Sequence, residues 1–166
     1  AKSFAQILPI IFSQCPKEGI EIKVYQQCQK NQIDSLKQKY KEMKIESEIF
    51  NFTYDLKKYF SKVNLAITRA GSSMLAEFLN CNVPIISIPL PNSADNHQLK
   101  NAKYFEKKGY GYLIEEHQIL EQLSPLIKLI YDDKSLLSQI KINQMKHSDK
   151  NVFNKIYKEV EKIIYA

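Results

Sequence analysis

The chain carries 24 basic residues, yet only one of them is an arginine, Arg69. Bidentate contacts to bases and phosphates favour a planar guanidinium, so this composition suits nucleic-acid reading poorly and no nucleic-acid partner is expected. Cysteine is scarce as well. Cys15, Cys28 and Cys81 form no CxxC pair and leave one odd, which fits a reduced cytosolic setting with small buried thiols. Long apolar runs are missing too. The longest, residues 83–90, is far too short to span a bilayer and is broken by Pro84 and Pro89. The first twelve residues lack a basic start leading into a long apolar stretch, so no signal peptide is expected. No GxSxG, HExxH, CxxC or Walker-type loop occurs, and a covalent nucleophile has no support. His97 has no cysteine or carboxylate partner at ligand spacing, which argues against zinc, and no cofactor is expected. His117 and His147 are expected at the surface.

What is present is a single-domain length of 166 residues with ordinary globular proportions of apolar and charged side chains. The formal net charge of +6 permits an anionic membrane face, nucleic acid or a phosphorylated small molecule. The lysines are spread along helices rather than clustered, so a lysine-rich solvated surface accounts for the excess equally well.

Periodicity predicts an alternation of strands and helices. Helices are expected over residues 2–13 (bent or restarted at Pro9), 29–43, 54–60, 72–80, 95–107, 119–131, 134–144 and 152–164. Strands are expected over 20–26, 45–50, 64–68, 84–88 and 111–114. In the second helix, Ile33, Leu36, Tyr40 and Met43 form one stripe. The pattern implies an α/β fold, a doubly wound parallel sheet with helices on both faces, forming one domain over residues 1–166. Residues 117–166 are the terminal helices of that domain. A doubly wound domain usually opens on a strand that lies centrally in the sheet, whereas this chain opens on a helix. The first strand and its loop are therefore expected to be absent, and the sheet to be poorly formed without them.

Residues 61–111 hold most of the chemistry. Thr68-Arg69-Ala70-Gly71-Ser72-Ser73 follows one apolar run and opens a helix. Gly71 permits a positive φ or a close backbone approach. Ser72 or Ser73 can cap the helix, whose first amides, with that of Met74, suit an anionic oxygen. A plain strand-to-helix turn fits the same pattern. Glu77 points away from the Met74, Leu75, Phe78 and Leu79 stripe and lies one position too far from Ser73 for a capping box. It is free to accept hydrogen bonds from vicinal hydroxyls, or to stand as a solvated glutamate near the helix start. After the second run, the loop from Pro89 leads through Asp95, Asn96, His97 and Gln98 into the next helix. Asp95 is a good cap there, and His97, Gln98 and Asn101 add groups able to meet sugar hydroxyls or phosphates.

At these residues the chain resembles the carboxyl-terminal half of the MurG family, the bacterial N-acetylglucosaminyltransferases of peptidoglycan lipid synthesis. The matching pieces are Thr68-Arg69-Ala70-Gly71-Ser72 with Glu77, Val83-Pro84, Pro89, Asp95-Asn96-His97-Gln98 with Asn101-Ala102, and the Gly109 turn. The opening Ala1-Lys2-Ser3-Phe4 resembles the helix start that follows the family's glycine-rich loop. The resemblance implies a GT-B carboxyl-terminal domain that binds UDP-GlcNAc. Carried over by position, Glu77 takes the uridine ribose, and Ser72, Ser73 and Met74 line the diphosphate pocket. His97 and Gln98 meet the donor sugar and diphosphate, with Asp95 and Asn96 shaping the loop.

The implied reaction is inverting, metal-independent transfer of GlcNAc to a lipid-linked muramyl-pentapeptide, lipid I to lipid II. It serves cell-wall synthesis and, with it, cell shape and division, at the cytoplasmic face of the inner membrane. The lipid-linked acceptor, the catalytic base and the peripheral membrane contact are implied for an amino-terminal domain outside this sequence, so the chain is expected to be inactive alone. Two alternatives remain: half of another two-part nucleotide-sugar transferase, or a non-catalytic nucleotide-binding module.

Overall fold

The computed structural model describes residues 3–147 and 152–164. The chain alternates as expected. Helix α1 (Phe4–Phe12) leads to β1 (Lys23–Gln27), α2 (Ile33–Glu42), β2 (Glu46–Phe50) and the short α3 (Lys57–Phe60). Then come β3 (Ala66–Thr68), α4 (Ser72–Asn80), β4 (Ile85–Ser87), α5 (His97–Lys107) and β5 (Gly111–Leu113). Helices α6 (Ile119–Asp132), α7 (Ser135–Met145) and α8 (Val152–Ile164) close the described chain.

Every strand pairing is parallel. β1 pairs with β2, and β4 lies between β3 and β5. The central strand β4 is buried along its whole length, as a strand covered on both faces must be. Its side chains alternate between two cores. Ile86 and Ile88 pack with α1, α2 and α6, while Ile85 joins Leu75 and Phe78 of α4 and Ala102 of α5. Helices thus cover both faces, which is the doubly wound arrangement.

Local chemistry fixes several junctions. Pro9 lies inside α1 and removes one of its backbone donors, yet the helix runs on because Phe4, Ala5, Leu8, Ile11 and Phe12 are all buried. The Tyr40 hydroxyl on α2 donates to the Gln26 amide oxygen on β1 at 2.6 Å, and burial pushes its phenol well above the ordinary value. Gly109 ends the turn after α5 at φ 69°, a left-handed conformation that glycine adopts without penalty. Gly111 is required for another reason: a Cβ there would sit 2.3 Å from the Ile85 carbonyl oxygen of the neighbouring strand. Gln144 of α7, fully buried, donates to the carbonyls of Val83 and Tyr110 and so fixes α7 under the sheet.

Some expectations need correction. The helix expected from residue 54 starts at Lys57, because the Thr53 and Asp55 side chains take the backbone N–H groups of Asp55 and Lys58 in a local turn. The helix expected from residue 29 opens as a 3-10 turn over Lys30–Gln32 before α2. Cys15 and Cys28 are buried thiols, but Cys81, at the carboxyl end of α4, is exposed. His147 is half-buried, its ring edge-on to Tyr110, rather than a simple surface residue.

The sheet is interrupted. β1 and β3 do not pair, and a cleft of about 940 Å³ runs between them, lined by both strands in full.

Candidate functional site

The carboxyl ends of β3 and β4 release two loops on the same side of the sheet, and side chains clasp them together. Arg69, the first residue beyond β3, donates from Nη1 to the carbonyls of Ile88 at 3.3 Å and Pro89 at 3.2 Å. Its guanidinium also grips Glu116 beyond β5 through two bonds of 2.9 and 3.1 Å. Nη2 donates to the Ser3 hydroxyl at 2.7 Å, and the guanidinium carbon sits 4.6 Å from the centre of the Phe4 ring. One side chain thereby joins the loops after β3, β4 and β5 to the start of α1. Hydrogen bonding from Arg69, reinforced by its charge, holds the Glu116 carboxyl below its ordinary range. Asn101 of α5 adds a second tie, donating to the Ala70 carbonyl at 3.1 Å.

Helix α4 presents its amino end within this clasp. Its first intrahelical bond runs from Leu75 N–H to the Gly71 carbonyl, so the amides of Ser72, Ser73 and Met74 precede the ladder and have no helical acceptor. The expected serine cap is not formed: Gly71 occupies the cap position, and no side chain caps the end. Gly71 has φ −70°, so positive φ is not the reason for glycine here. A Cβ on Gly71 would meet nothing within 4 Å, and the space before the helix stays open. Unpaired amides plus the helix dipole make this an electropositive end suited to an oxyanion.

The loop after β4 stores unusual backbone. Asn92, Asp95 and Asn96 adopt φ of 58°, 49° and 52°. Asn and Asp tolerate the left-handed region better than other side-chain-bearing residues, and such positions concentrate at binding sites. Asp95 is therefore not the cap of α5. It lies within a 3-10 turn over Ala94–Asn96, and Asn96 holds the cap position without a side-chain bond. His97 Nδ1 lies 2.7 Å from the Ala94 carbonyl. A carbonyl only accepts, so Nδ1 carries the proton and Nε2 remains the acceptor of the neutral ring. The Gln98 amide oxygen accepts from Leu90 N–H at 2.9 Å, leaving the amide nitrogen as the half available to a ligand.

Of the eight residues singled out in the sequence, Met74 and Gln98 line the large cleft, together with Thr68, Arg69 and Gly71. Ser72, Ser73, Glu77, Asp95, Asn96 and His97 are exposed and lie outside its lining. Sequence reasoning quoted Arg69 and Ser3 within motifs but gave neither a role, and it did not single out Glu116. The signal was available in one respect: a lone arginine among so many lysines marks a position where planar, forked donors matter.

A doubly wound α/β domain, with a ligand face at the carboxyl ends of its strands, is the class that this fold and these loops define. Within that class the chain belongs to glycosyltransferase family 28, matching the family's C-terminal domain model over residues 1–160. It is 36% identical over 149 residues to a Pelagibacter ubique protein described as UDP-N-acetylglucosamine--N-acetylmuramyl-(pentapeptide) pyrophosphoryl-undecaprenol N-acetylglucosamine transferase. That match covers 89% of this chain and 42% of the relative. A Francisella philomiragia protein of the same description is 31% identical, over 99% of this chain and 45% of its own length. The chain thus spans less than half the length of these relatives. The crystal structure of Acinetobacter baumannii MurG shares the fold, with a TM-score of 0.83 at 23% identity over 98% of this chain and 46% of that one.

Proposed function

We propose that this chain is the donor-binding part of an N-acetylglucosaminyltransferase, holding UDP-GlcNAc at the carboxyl ends of β3 and β4. The observation that carries this reading is the clasp. Arg69 and Asn101 hold an open helix amino end and a left-handed polar loop against each other, so that one ligand can touch both. The diphosphate lies on the amides of Ser72, Ser73 and Met74. Glu77, one turn further along α4, accepts from the ribose hydroxyls. His97 Nε2 and the Gln98 amide meet the sugar and diphosphate, and Asp95 and Asn96 set the shape of that loop.

In the reaction so implied, a muramyl C4 hydroxyl attacks GlcNAc C1 with inversion, forming the glycosidic bond as the bond to UDP breaks. The helix amides stabilise the negative charge that develops on the departing diphosphate. No residue of this chain is assigned as the base. The lipid-linked acceptor and the base belong to the further length that the relatives possess. Among the described residues no helix is long and apolar enough to cross a membrane. We infer that the assembled enzyme is a peripheral protein at the cytoplasmic face of the bacterial inner membrane.

Isothermal titration of the chain with UDP-GlcNAc and with UMP tests the reading. Saturable binding of both, lost when the sugar nucleotide is replaced by free GlcNAc, is the expected result. Absence of any binding by the folded chain would overturn it.

A further inference from the structure

The geometry points to a second binding surface: the outer face of α5 is a contact for an anionic phospholipid bilayer. The inference rests, for its target, on the peripheral membrane placement proposed above, and adds that this chain itself touches the lipid. Lys100, Lys103, Tyr104 and Lys107 of α5, with Lys108 at its cap, are all exposed. They recur at i, i+3, i+4, i+7 and i+8, so one side of the helix carries them. The opposite side is committed to the protein: Ala102 and Phe105 join the second core, and Asn101 ties to Ala70. The four lysines therefore fall within ~12 Å along one helix face. Among the described residues none of their ammonium groups is within ion-pair reach of a carboxylate. Glu106 is the one acidic side chain of α5, and its carboxylate accepts from the Leu113 N–H at 3.3 Å, which turns its charge toward β5. Other lysine-bearing helices do not segregate charge in this way. α2 carries Asp34 and Glu42 among its lysines, and Lys128 of α6 pairs with Asp132.

The residue types give the partner's chemistry. Stable protein interfaces are depleted in lysine and favour arginine with aromatic anchors in pockets. Lysine is instead a hydrated point charge on a flexible stem. No arginine stands on this face, and none of its five side chains lines the large cleft. A convex row of ammonium groups suits a layer of phosphate headgroups, which needs no matching pocket. Four or more basic residues clustered in this way read as a contact for acidic lipid. Tyr104, 51% exposed, adds an apolar ring with a polar tip, the kind of side chain that lies at headgroup level. The place of the face in the fold fits as well. α5 opens at His97 and Gln98, and Lys100 lies one turn further on, so lipid held along this side keeps the loop after β4 close to the bilayer. A lipid-linked acceptor in that bilayer is thereby brought near the loop.

Cosedimentation of the 166-residue chain with sucrose-loaded vesicles tests this, comparing equal parts phosphatidylglycerol and phosphatidylcholine with phosphatidylcholine alone. The native chain should bind the anionic vesicles only, and less as added salt screens the charges. Lys103→Gln combined with Lys107→Gln should weaken binding by ~30-fold, the loss expected for two lysines at an anionic surface. Lys37→Gln combined with Lys41→Gln, an exposed pair on α2, removes the same net charge and should weaken it far less. All four positions are exposed, so both variants should keep the native Tm. Equal loss in the two variants would overturn the inference, since net charge alone would then account for binding. Polyglutamate bound as tightly as the vesicles, with the same dependence on Lys103 and Lys107, would overturn it by giving the face to an acidic protein segment. The full-length Pelagibacter ubique relative, run alongside, separates this contact from the reading it rests on. Sedimentation of the relative but not of this chain overturns the α5 contact alone, and sedimentation of neither overturns the peripheral placement with it.

Discussion

Replacing Arg69 by lysine keeps the charge and removes the fork. The guanidinium makes five hydrogen bonds, to Ile88, Pro89, Ser3 and both Glu116 oxygens. The four N–H bonds of Nη1 and Nη2 serve these five acceptors, whereas an ammonium has three N–H bonds on a single nitrogen that cannot span them, so about two of the five contacts are lost. The Arg69 and Glu116 side chains are only 17% and 22% exposed, so solvent replaces the lost partners poorly. At ~1–2 kcal/mol for each charged bond lost, the variant should be less stable by ~2–4 kcal/mol. For a chain of this size that is a fall in Tm of ~5–15 °C, read by far-UV circular dichroism. Because the same bonds hold the two ligand loops together, affinity for UDP-GlcNAc should fall at a temperature where the variant is fully folded. An Arg69→Lys protein with unchanged Tm and unchanged affinity would refute the clasp.

Other consequences are as direct. Glu116 is held below its ordinary pKa of 4.5, so its pairing contributes full stability above that pH and loses it as pH falls through the lowered folded value. Acid titration of Tm should show this loss in the native chain and a weaker one in Arg69→Lys. Glu77→Ala should leave stability within ~0.5 kcal/mol of native, as for an exposed residue, and weaken UMP binding by ~1–3 kcal/mol; equal affinity would remove Glu77 from the ribose. Gly111→Ala places a Cβ against the Ile85 carbonyl and should destabilise by ~1–3 kcal/mol, measured by urea unfolding. Tyr40→Phe strips Gln26 of its buried partner and should cost ~1–2 kcal/mol in the same assay.

Short-range patterns were readable because their causes are local. Helix α4 falls on Ser72–Asn80, the stretch its apolar stripe predicts, and the Gly109 turn follows from the φ that glycine allows. The alternation of strands and helices led to the parallel, two-faced sheet. What stayed hidden depends on partners distant in sequence. Arg69 meets Glu116 forty-seven residues on and Ser3 sixty-six residues back, and no periodicity encodes such a junction. Gln26 and Gln144 are buried polar residues whose partners lie far off in sequence: Gln26 Oε1 accepts from Tyr40, and Gln144 Nε2 donates to Val83 and Tyr110. Asp95 looked like a cap because Asp caps helices often, but its left-handed backbone moves that position to Asn96.

The donor face is tested most directly by two-dimensional amide NMR of the chain titrated with UDP-GlcNAc. Ser72, Ser73, Met74 and Gln98 should shift together and saturate with one ligand. Saturable shifts confined to other parts of the chain, with these four amides still, would contradict the account.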